Sequence, residues 1–115
     1  MADELSMTKL KLTFALAFLT ILGATTWASL QMPFWKVPQA VVGHPWFIAT
    51  LVDTYLAFFT FWVWVAYKES SNLARAIWLL LIFALGNLAI AGYMLLQLFR
   101  LPPGARVEDL LLRRK

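Results

Sequence analysis

Residues 74–99 read ARAIWLLLIFALGNLAIAGYMLLQLF, and beyond Arg75 the run carries no charge. A hydrocarbon core of ~30 Å takes about 20 apolar residues as helix. On length alone, this stretch is expected to cross a bilayer once. Two other runs meet the same test: residues 12–30 are uncharged, and residues 45–67 carry only Asp53. Buried backbone in lipid must satisfy its own hydrogen bonds, and none of the runs alternates as a barrel strand would. The sequence therefore predicts an all-α membrane protein. Three transmembrane helices, spanning about 12–30, 45–67 and 74–99, fill a domain over residues 1–101, and an amphipathic or flexible basic tail occupies residues 102–115.

Composition agrees. Of 115 residues, 62% are hydrophobic and 14% charged, outside the usual range of soluble domains. So short a chain cannot hide that much apolar surface in its own core. Lipid is the expected cover, which makes the bilayer the first partner. The net charge of +4 is spread over the loops and tail, where anionic headgroups lie. No basic stripe on a soluble element suggests nucleic acid.

The connections have distinct chemistry. QMPFWKVPQAVVGHP (31–45) holds three prolines and a glycine; it breaks the chain, and Pro45 suits the first turn of the next helix. KESSN (68–72) is short and polar, with Ser70 or Ser71 as N-cap, so helices two and three read as a tight antiparallel hairpin. Pro102, Pro103 and Gly104 stop the third helix. In the tail, Asp109 and Arg113 form an i,i+4 pair, and Val107, Leu110 and Leu111 offer an apolar edge to a membrane surface. Trp27, Trp35 and Trp46 flank the first connection, and Trp62, Trp64 and Tyr67 the second, as interfacial belts require. Trp46, Tyr67, Lys68 and Glu69 are expected at the interfaces.

Two questions stay open at this level. Lys9 and Lys11, an apolar run and ATTWAS (24–29) also fit a secretory signal cut after Ala28, although the run is long enough to be retained as a span. Orientation is divided: with three spans, Lys36, Arg100, Arg106, Arg113, Arg114 and Lys115 oppose Lys9, Lys11, Lys68 and Arg75. That tally favours a cytoplasmic C-terminus, while the residues flanking helix one favour a cytoplasmic N-terminus.

Chemical motifs are scarce. Cysteine is absent and His44 is alone in a Gly-His-Pro turn, so neither a disulfide nor a metal site is expected. No nucleotide loop, hydrolase or metalloprotease motif occurs. No catalytic residue and no cofactor can be named, and a non-enzymatic role is favoured.

Asp53 is the exception. Carboxylates deep in a bilayer are costly, so they face protein or water and mark function by default. In a hairpin centred near residue 70, positions summing to about 140 share a depth, which sets Asn87 level with Asp53. Thr25 of helix one and Thr50 of helix two lie within reach of that level. A buried cluster of Asp53, Asn87, Thr25 and Thr50 is expected. It has three readings: polar glue between helices, a proton- or cation-handling site, or a lipid or isoprenoid site.

ATLVDTY (49–55), VWVAYKESS (63–71), AIWLLLIFALGN (76–87) and YMLLQLFRL (93–101) together resemble a family of small membrane proteins from bacteria and plants, domain-of-unknown-function family fourteen-seventy-five. The likeness covers about residues 12–101 and includes Asp53, the segment Trp64–Glu69 and the segment Gln97–Phe99. It implies an integral membrane protein with a retained first helix and supplies no catalytic residues. The functional expectation is a small accessory or scaffold subunit of a membrane complex, multi-pass in the bacterial inner (plasma) membrane. A proton- or cation-coupled homo-oligomeric transporter using Asp53 and a lipid- or isoprenoid-binding or -modifying protein are the alternatives.

Overall fold

A computed structural model describes residues 2–113. The chain is all-α: α1 is Ala2–Gln31, a 3-10 turn is Phe34–Lys36, and α2 is Gln39–Val42. Then come α3 (Pro45–Lys68), α4 (Asn72–Leu85), α5 (Asn87–Arg100) and α6 (Val107–Leu111). Helices α1 and α3 are each long and apolar enough to cross a membrane.

Local chemistry sets the helix ends. Pro33 pushes Met32 out of helical geometry, which ends α1. Pro45 occupies the first turn of α3, and His44 caps it by accepting from the Trp46 N–H at 3.2 Å. Ser71, one of the two expected caps, starts α4 by accepting from the Ala74 N–H at 3.3 Å.

The third apolar run departs from the expected single helix. Gly86 has φ 61° and ψ −129°, a conformation that a Cβ opposes. A Cβ at Gly86 would also lie 2.8 Å from Cζ of Phe58. The chain therefore folds back there. In one straight helix Trp78 and Tyr93 would be ~22 Å apart along the axis, yet their rings meet edge to face with centroids 4.7 Å apart. Residues 74–99 are thus two 14-residue helices in a hairpin, each ~21 Å long and too short to span a ~30 Å core.

The hairpin is wedged between α3 and α1. On the α3 side, Tyr55 donates to the Phe83 carbonyl at 3.3 Å and Trp62 Nε1 to the Arg75 carbonyl at 2.9 Å. On the α1 side, α5 runs antiparallel: Phe18 faces Gly92, and Lys11 Nζ sits 5.1 Å from the Phe99 ring centroid. A cut after Ala28 would strip α5 of the helix it packs on. Because Phe58 lies near the middle of α3, the tip at Gly86 reaches about half of α3's length.

Two consequences follow. The start of α1, the α3–α4 connection and the chain after α5 share one end of the molecule, the base, while residues 32–44 lie at the far end. The core lies in the base half, where Phe58, Val65, Ile82, Ala89 and Tyr93 form one cluster and Met94, Leu98 and Leu110 another. Residues 22–56 are nearly all exposed. The tail also differs from expectation: Leu110, at 2% exposure, faces α5 rather than outward. A five-residue helix gains little from its own hydrogen bonds and is held by packing.

Gly86→Ala is expected to destabilise the protein by about 1–3 kcal/mol through positive φ and the Phe58 contact. The melting temperature of the detergent-solubilised protein checks this. An unchanged melt would mean that the turn tolerates a side chain.

Candidate functional site

The polar residues fall into two groups, separated by the periodicity of α3. Phe58, Trp62 and Val65 face the hairpin, and Asp53 lies about 140° around the helix from Phe58. Its carboxylate is exposed and has no hydrogen bond or ion pair among the described residues. Thr50, also exposed, donates to the Trp46 carbonyl on its own helix at 2.7 Å. The depth relation with Asn87 is nonetheless close, since Phe58 touches Gly86 and Tyr55 reaches Phe83.

Asn87 opens α5 directly after the turn, and no side chain caps that helix. Its amide is exposed and unpaired among the described residues, as is the Thr20 hydroxyl. Both line a cleft of about 490 Å³ between α1 and α5, together with Ala17, Ala24, Ile90 and Ala91. Thr25 is exposed and lines instead a neighbouring hollow with Trp27, Ala28 and Phe34. The expected buried cluster of Asp53, Asn87, Thr25 and Thr50 is therefore not assembled within one chain. Asp53 lies on α3 well away from the side that meets the hairpin, whereas Asn87 lies in the α1–α5 cleft, so the two occupy different faces.

The second group gathers at the base. Lys68 Nζ donates to the carbonyls of Asp109 at 2.9 Å and Leu112 at 2.7 Å, neutralising the C-terminal end of α6. Trp64 Nε1 donates to the Leu111 carbonyl at 3.0 Å, and the Arg113 N–H donates to the Tyr67 hydroxyl at 3.3 Å. Asp109 Oδ2 accepts from the Arg106 N–H at 2.9 Å, which caps the start of α6. Lys68 and Tyr67, expected as interfacial anchors, thus also tie down the tail. Trp46 stands at the far end, 75% exposed.

Glu69 is similarly engaged. Its Oε2 accepts from the hydroxyl of Tyr93 at 2.7 Å, and Phe61, Trp64 and Trp78 ring Tyr93 edge-on. Arg75 donates to the carbonyls of Ala66 and Glu69, both at 2.7 Å, and to Asn72 Oδ1 at 2.6 Å. Tyr93 and Arg75 did not stand out in the sequence. The available signal was the phenol in an apolar run, because a buried Tyr hydroxyl needs a partner. Among the described residues no three His, Asp or Glu side chains converge as a metal site.

An all-α chain with two helices long and apolar enough to cross a membrane, braced by a half-length hairpin and latched at its base, defines the class. The chain belongs to the family described as "Protein of unknown function (DUF1475)", which it matches over residues 10–114. That match includes the tail through α6. No curated protein and no solved structure matches it.

Lys68→Ala is expected to release the tail. Trypsin should then cut at Arg106 at least several-fold faster than in the parent, since two charge-assisted bonds worth roughly 1.5–3 kcal/mol each are lost. Equal cleavage rates would contradict a Lys68 latch.

Proposed function

We propose that this is a multi-pass integral membrane protein acting as a small subunit of a membrane assembly, with the outward face of α3 as its contact. The observation that carries this reading is Asp53, an unpaired carboxylate exposed eight residues into a 24-residue apolar helix. At the centre of a spanning helix an Asp costs about 2.5–3.5 kcal/mol on insertion scales, and such residues face protein or water rather than lipid. The other residues of that face suit a helix contact, since Ala49, Ala57 and Thr60 let backbones approach.

The surface supports lipid as the remaining cover. Leu30, Phe34, Trp46, Leu56, Leu73 and Leu80 are each more than half exposed, a density of exposed apolar residues that water does not tolerate. With α4 and α5 as a re-entrant hairpin, the two charge counts of the sequence no longer compete. Lys9, Lys11, Lys68, Arg75, Arg100, Arg106 and Arg113 all belong to the base, against Lys36 at the far end. The positive-inside rule then favours a cytoplasmic base, in a bacterial inner membrane on the family resemblance. Re-entrant backbone at that depth needs protein or water around it, and the Phe58 ring against Gly86 supplies cover on the α3 side.

Extraction in native nanodiscs followed by mass spectrometry tests the subunit reading. A stoichiometric assembly of polypeptides is expected, and Asp53→Leu should dissociate it while leaving the melting temperature within a few degrees. Asp53→Asn, which keeps the hydrogen-bonding capacity, should preserve it. A single chain carrying lipid alone would overturn the reading. Proton-linked flux abolished by Asp53→Asn would favour the transporter instead.

A further inference from the structure

We infer that the partner on α3 is a second copy of this chain, whose Asp53 enters the α1–α5 cleft and accepts hydrogen bonds from Asn87 and Thr20. This rests on the assembly reading and names its partner.

Among the described residues no cation lies at the depth of Asp53: Lys68, the basic residue on the same helix, is 15 residues or ~22 Å along the axis, and Lys36 lies in the far connection. A salt bridge between level copies is therefore excluded. What the chain does present at that depth is a set of unused donors. The Asn87 amide and the Thr20 hydroxyl are exposed in the cleft and unpaired among the described residues. The uncapped first turn of α5 opens beside them, and its dipole favours negative charge.

One chain thus carries an acceptor without donors and donors without an acceptor, near the same depth by helix rise and on different faces. They cannot meet within a molecule. Two copies in the same orientation, set side by side, bring them together without any change in depth. The approach is sterically open, since Ala17, Ala24 and Ala91 line the cleft and Ala49 and Ala57 flank Asp53 on its helix. A twofold pairing through α3 would instead face Asp53 with Asp53 and leave the donors of the cleft unused. The contact is therefore heterologous, and copies related by a rotation that closes would form a ring.

Because the chain has no cysteine, disulfide trapping between two differently tagged copies reads the contact directly. Copies with Ala57→Cys, on the Asp53 face, are co-expressed with copies carrying Ala17→Cys, in the cleft, and oxidised in their membrane. The expected result is a mixed dimer from the pair and none from Ala57→Cys alone. Adding Asp53→Leu to the Ala57→Cys copy should cut the mixed dimer about tenfold, the worth of one interhelical hydrogen bond. Both positions are exposed, and a melt confirms that each variant folds.

A dimer from Ala57→Cys alone, with none from the mixture, would overturn the heterologous contact while leaving an assembly in place. A monomer bound to a different protein would likewise overturn the second copy and spare the assembly reading. A monomer holding only lipid, in the cleft or elsewhere, would remove both.

Discussion

The fold depends on the backbone of Gly86 pressed against the ring of Phe58. A residue at φ 61° cannot continue a helix, so the longest apolar stretch of the chain turns back about halfway along α3. The base contacts of α5 and α6 follow from that reversal. It carries Tyr93 to Glu69, and it returns the chain to the start of α1. It also delivers α6 to Lys68 and Trp64. Without the turn, residues 72–100 would end at the opposite face and the tail would have no helix ends to close.

The result is a molecule whose two halves differ in kind. In the base half, α4 and α5 separate α1 from α3, and aromatic rings, a phenol–carboxylate bond and two basic side chains fasten the helix ends. On the membrane reading proposed above, such fastenings matter because burial of hydrocarbon gives little net drive in lipid and packing with polar bonds must hold helices together. In the far half, α1 and α3 stand with most of their surface exposed. On the reading proposed above, that half is where other chains and lipid make contact, and the base is the self-sufficient part.

Much of this plan was legible in the sequence. Pro45 and Ser71 announced helix starts through backbone chemistry that needs no tertiary context. Helix rise and the length of the 68–72 connection set Asn87 near Asp53 in depth as an expectation, with which the Phe58–Gly86 and Tyr55–Phe83 contacts are compatible. The turn at Gly86 was not legible, because a glycine within an apolar helix is ordinary and its positive φ is fixed by what packs around it. Nor was the face of Asp53: α3 is apolar all round, so no amphipathic stripe tells the packed side from the outer one. The packing of Leu110 against α5 was hidden for a related reason. Lys68 and Trp64 look like interfacial residues wherever they stand, and their bonds to α6 join positions more than forty residues apart.

The hairpin is tested most directly by which side of the membrane the segment after α5 occupies. Ser70→Cys, Pro103→Cys and Phe34→Cys, each introduced singly into this cysteine-free chain, can be labelled in sealed vesicles of known orientation with a membrane-impermeant maleimide. The account predicts that positions 70 and 103 react from one side and position 34 from the other. Labelling of 70 and 103 from opposite sides would mean that residues 74–99 cross the membrane as a single helix, and would contradict it.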